Sequence, residues 1–202
     1  MRIRTHTNPL SCIKRFQKLD PIKLFAKFEN KLDLEIGFGQ SNFIFKYSYE
    51  NSRRFVVGVE LRRKAVAIMQ QRLKTIKLLD NVYLVQGNGF FCLQDMFDDN
   101  SIDRVFIFHP DPWIKKHHQK RRLVNFKFLD VLSKKLKQGG RVYITTDIEF
   151  LWRDILRVFT LNNSFIQVEE INFWQKYYEG RWDEICKNKK RKIFFATFCL
   201  RN

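Results

Sequence analysis

The sequence predicts an α/β fold, a largely parallel sheet with helices on both faces. Short, continuous apolar runs alternate with longer segments whose apolar residues recur at helical spacing. Such alternation is the pattern of strands buried on both faces and joined by covering helices. With 202 residues, one domain is the default, and a chain of that size can bury roughly 70% of its unfolded surface.

Leu32 to Ile36 reads as a first strand, interrupted by acids, and Phe55 to Val59 as a second, continuous and β-branched. Ala65, Ile68, Met69, Leu73, Ile76 and Leu79 mark a helix. Val82 to Val85 is a third strand and Val105 to Phe108 a fourth. Leu123 to Leu136 reads as a helix closed by Gly139-Gly140, before a fifth strand from Arg141 to Thr145. Ile148, Leu151, Trp152, Ile155, Leu156 and Phe159 mark another helix, and Phe194 to Leu200 a last strand. Residues 1–30 are basic and partly periodic, with Lys14, Arg15, Lys18, Lys23 and Lys27 among Phe16, Leu19, Leu24, Phe25 and Phe28. They read as a basic N-terminal arm, either a short helix or a flexible tail. Residues 31–202 form the sheet domain.

Lys and Arg number 38 against 21 Asp and Glu, a formal charge of +17. That balance points to nucleic acid or an anionic membrane surface. No apolar run approaches the roughly 18 residues of a membrane span, and the N-terminus has no apolar signal core, so no membrane partner is expected. Four cysteines form no Cys-x-x-Cys pair. They read as reduced cytoplasmic thiols, with neither a metal site nor a disulfide framework. The 21 phenylalanines read as core material.

In parallel sheets ligands bind beyond the C-terminal strand ends. The first strand ends in Glu35-Ile36-Gly37-Phe38-Gly39, where glycines permit a tight turn and close backbone approach. The third glycine of the dinucleotide fingerprint is absent, since position 42 is Asn. The second strand ends at Glu60, placed to accept ribose hydroxyls or to favour the dipole of the next helix. After the third strand comes Gly87-Asn88-Gly89, a turn signal whose Asn88 could also read an adenine edge. After the fifth come Thr146, Asp147 and Glu149, which fit a capping box around a carboxylate.

The fourth strand runs into the most specific stretch. Pro110 and Pro112 hold Asp111 extended just past the strand, because each proline disfavours helix in the residue before it. Trp113 follows, either core material or a surface for a flipped base. Lys115, Lys116, Lys120, Arg121 and Arg122 come next, interleaved with His117, His118 and Gln119. A rigid carboxylate, an aromatic and a cationic run suit an anionic polymer that carries flat bases. The same charges also fit a solvated helix start.

The string Pro110-Asp111-Pro112-Trp113 followed by Lys115 to Arg122 resembles the signature of the tRNA (guanine-N7-)-methyltransferases. Lys176-Tyr177-Tyr178-Glu179-Gly180-Arg181-Trp182 resembles a later segment of the same family. The chain departs from the family pattern at Ser41, Ile114 and Lys176. Over residues 32–182 the resemblance implies a Rossmann-like, S-adenosylmethionine-dependent methyltransferase fold with a seven-stranded mixed sheet. It implies methyl transfer to N7 of the variable-loop guanine (position 46) of tRNA. Carried over residue by residue, it assigns Glu35, Gly37, Gly39, Glu60, Asn88 and Asp111 to the cofactor. Asp111 is also the carboxylate expected to stabilise the charge that develops on the purine. Lys115, Asp147, Lys176, Tyr178 and Glu179 are assigned to the substrate, and His117, His118, Gln119, Lys120, Arg121 and Arg122 to RNA. No metal is expected. Two other readings remain compatible: a catalytically weak or inactive RNA-binding protein on the same fold, and a methyltransferase acting on another RNA. The sequence leaves open the oligomeric state and any need for a partner subunit.

Overall fold

The computed structural model describes residues 7–11, 15–19, 28–76, 79–177, 186, 188 and 191–201. Its centre is a seven-stranded sheet in the order β3-β2-β1-β4-β5-β7-β6. The strands are β1 (Leu32–Ile36), β2 (Phe55–Glu60), β3 (Val82–Gln86), β4 (Ile102–Phe108), β5 (Leu136–Thr146), β6 (Phe165–Val168) and β7 (Phe194–Leu200). The first five pair in parallel, and β7 runs antiparallel to both β5 and β6. The helices are α1 (Phe43–Glu50), α2 (Arg63–Thr75), α3 (Gly89–Met96), α4 (Phe126–Lys135), α5 (Glu149–Thr160) and α6 (Ile171–Tyr177). This is the seven-stranded mixed α/β sheet that the family resemblance implied.

Side chains alternate across each strand, and this sorts the core into two layers. Leu34, Val57, Val105, Ile107, Val142 and Ile144 meet α3, α4 and α5. Val56, Phe106 and Tyr143 meet α1, α2 and α6 on the other face. Gly58 is needed between these layers, because an added Cβ would lie 2.6 Å from Ile44 and 2.9 Å from Leu84. The acids interrupting β1 face the α1 layer. Buried Asp33 accepts from Tyr47 Oη at 2.7 Å and from both arms of the Arg54 guanidinium. A buried charge is tolerated there because it is paired and fully hydrogen-bonded.

β1 and β7 match the sequence reading residue for residue, and β2 and β3 each extend one residue further. β4 starts at Ile102, three residues earlier than expected. The Gly139-Gly140 pair is corrected from a helix stop to a bulge inside β5. Helix α4 ends at Lys135, and the β4–β5 register shifts between Ile102 and Arg104. Gly139 takes a φ of +72°, which a bulge can assign to glycine at no steric cost. The capping box also does not form. Ile148, in the N-cap position of α5, makes no side-chain cap bond. Thr146 Oγ1 instead accepts the Ile148 N–H at 3.2 Å, while Glu149 pairs with Arg153 at 2.6 Å. The described parts of the N-terminal arm lie against the domain: Leu19 N–H donates to Met96 O at 2.9 Å, and Phe28 is buried in the core.

Candidate cofactor cleft and nucleic-acid face

The strand ends of β1 and β2 form one wall. Gly37 turns with φ +85°, and its N–H donates to Val59 O at 2.7 Å, which binds the loop to the neighbouring strand. Gly39 (φ +57°) donates its N–H to Glu60 Oε2 at 2.9 Å. Glu60 also accepts the Arg62 N–H at 2.8 Å and the Arg62 guanidinium at 3.2 Å. The carboxylate therefore pins the glycine loop while carrying a half-exposed arginine. The hydrogen bond to Glu60, with added attraction from Asp111, holds the Arg62 guanidinium firmly charged. The sequence reading does not single out Arg62, although an arginine two residues beyond the strand-end acid is a readable signal.

Glu35 lies behind this wall, 2% exposed, and its Oε2 has no hydrogen-bond partner among the described residues. Burial, and then the nearby Glu60 charge, push its carboxyl up to about 8. An orphaned buried acid at a strand end is a candidate for a cationic or donor-rich ligand.

Asn88 closes the third strand end. Its Oδ1 accepts the Phe90 N–H at 2.9 Å and so caps α3, while its Nδ2 donates to Pro9 O at 2.8 Å. Both ends of the amide are engaged with protein, and the second bond ties the N-terminal arm to the cleft.

The loop from β4 carries Asp111, half-buried and near enough to Arg62 to add to its charge, and the basic run follows directly in the chain. Trp113 takes φ +43° and is 8% exposed. The Arg121 guanidinium lies over its ring at 5.0 Å, and His118 meets it edge-on at 5.8 Å. Trp113 is thus packed inside the protein, which decides between its two readings. Residues Lys116–Arg121 form a 3-10 helix. Lys115, Lys116, His117, Gln119 and Lys120 are exposed on it.

Arg122 departs from its expected role on the RNA face. It is 7% exposed, with Nε donating to Pro112 O and Nη1 to Asp154, each at 2.9 Å. It straps the proline loop to α5, so it is corrected from a phosphate ligand to a structural residue.

Asp147, beyond β5, pairs with Arg191 at 2.7 Å and lies 3.4 Å from His109 Nδ1. His109 and Arg191 carry no sequence signal, since neither belongs to a recognisable spacing. Lys176 is placed at the end of α6, where its ammonium contacts Glu50 at 3.0 Å. Tyr178 and Glu179, with the rest of the segment to Trp182, lie outside the described residues.

Comparison with known proteins identifies the family. Residues 29–195 match the family model described as "Putative methyltransferase". The chain is 33% identical over 180 residues to a tRNA (guanine-N(7)-)-methyltransferase of Thermotoga maritima, covering 89% of this chain and 56% of that protein. It is 32% identical over 188 residues to one from Prochlorococcus marinus subsp. pastoris, covering 89% of this chain and 88% of that protein. The chain thus spans little more than half of the Thermotoga relative and most of the Prochlorococcus one. Among solved structures, the 16S rRNA methyltransferase KamB aligns with a TM-score of 0.63 at 10% identity, covering 94% of this chain and 97% of that one. The aminoglycoside resistance methyltransferase NpmB1 aligns with a TM-score of 0.61 at 15% identity, covering 91% and 94%. At such identities these two likenesses establish the fold. Sequence, topology and the ordered strand-end motifs agree that the chain belongs to the tRNA (guanine-N7-)-methyltransferase family.

Proposed function

We propose that this chain transfers the methyl group of S-adenosylmethionine to N7 of the variable-loop guanine (position 46) of tRNA, in the cytoplasm. One observation carries the reading. The Pro110–Trp113 loop carries a half-buried carboxylate beside Arg62 of the Glu60 wall and leads straight into a largely exposed cationic 3-10 helix, while Glu35 at the neighbouring strand end keeps an orphaned buried oxygen. The relatives' names and the family membership support it.

The residues present fit the cofactor. S-adenosylmethionine supplies an electrophilic methyl group on a sulfonium. Its positive charge and amino group suit the unpartnered Glu35 oxygen. Gly37 and Gly39 let backbone approach closely. Glu60 reaches ribose hydroxyls once the Arg62 side chain, half-exposed, swings off it. Asn88 keeps α3 capped and lines the adenine end.

Guanine N7 presents an in-plane lone pair and no proton, so no general base is required. The protein's task is to hold N7 in line with the methyl carbon. As the C–S bond breaks and the N7–C bond forms, positive charge passes to the purine. Asp111 stabilises that charge from a fixed position. Asp147 holds the base, and Lys115 with His117, His118, Gln119, Lys120 and Arg121 holds phosphates. Lys176 is kept as a substrate residue on the family resemblance alone, since its ammonium is engaged with Glu50 at the end of α1.

Radiolabelled methyl transfer to total tRNA, followed by nucleoside analysis, tests the reading. Label in 7-methylguanosine is the expected result. Label in another nucleoside, or cofactor binding without transfer to tRNA, would refute it.

A further inference from the structure

A second group of side chains gathers where β4 and β5 end. His109 leaves β4 with φ +48°, and its N–H donates to Thr145 O at 2.9 Å, which fixes it beside β5. Its imidazole then faces Asp147, with Nδ1 3.4 Å from Oδ1 and the two side chains only 5% and 3% exposed. Cys186 reaches the same point from the far end of the chain. The Arg191 N–H donates to Cys186 O at 2.9 Å, so the two residues are held together, and both the buried thiol and the Arg191 guanidinium reach Asp147. One donor atom each from His109, Asp147 and Cys186 lies within 4.8 Å of the other two.

We propose that His109, Asp147 and Cys186 bind a single divalent transition-metal ion of the zinc type. An imidazole nitrogen, a carboxylate oxygen and a thiolate sulfur form a borderline-soft donor set, which suits zinc and disfavours calcium or magnesium. Bond lengths of about 2.0–2.3 Å put tetrahedral donors roughly 3.3–3.8 Å apart, so side-chain movements of about 1 Å close the site. Charge is compensated to within one unit, the surplus lying on the partly exposed Arg191 guanidinium. A thiolate and a carboxylate neutralise the ion, and Arg191 occupies the opposite carboxylate oxygen at 2.7 Å. Buried ions require such compensation. Three protein donors leave a fourth position for water or a ligand, as in zinc sites of the open kind. Cysteine spacing could not reveal this set, because its members come from three separated positions, and the proposal departs from the sequence expectation of no metal. The site shares Asp147 with the proposed guanine-binding group but does not rest on that reading.

Cobalt(II) added to the purified, chelator-stripped full chain is the direct probe. Expected are a thiolate-to-cobalt charge-transfer band and the visible bands of four-coordinate cobalt, saturating at one equivalent and displaced by zinc. His109→Ala and Cys186→Ser should each abolish the charge-transfer band, while Cys92→Ser and Cys199→Ser should retain it. Absence of the bands in folded wild-type protein, or their survival in Cys186→Ser, overturns the proposal. A second measurement holds even if the cysteine variant fails to fold. Zinc should raise the thermal midpoint of the wild type and leave His109→Ala unmoved, since only ligand bound to the native state stabilises it. An equal response in both proteins would overturn the site. Neither measurement needs tRNA or methyl transfer, so its failure is distinct from failure of the proposed function.

Discussion

The buried acid in the cleft should make cofactor affinity depend on pH. Glu35 has its carboxyl pushed up to about 8, by burial first and by Glu60 second. At pH 7 about nine-tenths of the free protein therefore carries this acid protonated. A cationic cofactor against Glu35 favours the carboxylate, so binding should release close to one proton per cofactor at pH 7. Affinity should then rise about tenfold between pH 6 and pH 7, since each pH unit of linkage is worth about 1.36 kcal/mol. The cofactor's own amino group titrates at roughly 7.7–8.0, so this window isolates Glu35. The sign for stability is opposite to that of a salt-bridged acid. The folded value lies above the ordinary 4.5. Folding therefore takes up a proton between about pH 4.5 and 8, and stability falls as pH rises through that window, by an amount on the order of 4–5 kcal/mol at the upper end. Glu35→Gln keeps the shape of the protonated acid. It should flatten both pH dependences and raise the thermal midpoint at pH 8. Titration calorimetry in two buffers of different ionisation enthalpy counts the released protons. No release at pH 7, or the same release from Glu35→Gln, would refute the reasoning.

Asp111→Asn should slow methyl transfer roughly 10²–10³-fold while leaving tRNA affinity nearly unchanged, because a preorganised charge acts mainly in the transition state. Single-turnover kinetics at saturating tRNA and cofactor would expose a wild-type rate, and with it a purely structural Asp111. Replacing Lys116, Lys120 and Arg121 together with Ala should weaken tRNA binding. The salt dependence should flatten by roughly 0.7–0.9 for each phosphate that is no longer neutralised, and an unchanged slope would make the run a solvated face. Arg122→Ala should behave differently, since its guanidinium is bonded to Pro112 O and Asp154. It should cost about 1–3 kcal/mol of stability in denaturant unfolding, the cost of leaving buried partners unsatisfied. A stability equal to wild type, with a flattened salt slope, would return Arg122 to the RNA face.

The strand core is legible because its residues obey one rule. Val105 to Phe108 is apolar at every position and Phe194 to Leu200 at all but Thr197, the pattern of strands covered on both faces. Helices α1 and α3 are not legible in the same way. Phe43-Ile-Phe-Lys-Tyr-Ser-Tyr reads as β-prone by side-chain type, yet it folds as a helix because Phe43, Ile44, Phe45 and Tyr47 are all buried against the sheet. Tertiary burial overrides propensity in so short an element. Gly139 misleads for a related reason: a positive φ serves a helix stop and a strand bulge equally well, and only strand pairing distinguishes them.

The basic run shows where sequence reading must stop for the site. Seven residues from Lys116 to Arg122 include four cations and two histidines, and composition alone makes them equivalent. The structure winds Lys116–Arg121 as a 3-10 helix, in which side chains three apart eclipse. His118 and Arg121 therefore fall on one face, and both meet Trp113. Lys116 and Gln119 fall on a second and stay exposed, while Arg122, the residue after the helix, is buried in the strap to Asp154. His117 and Lys120 form the third, exposed along its length. A helical period of about 3.6 would have distributed the same charges differently. The division of the run into packing, strap and solvent faces follows from a period that no charge count can report. Lys116, His117, Gln119 and Lys120 are accordingly the side chains on that stretch with least to lose from turning toward a phosphate.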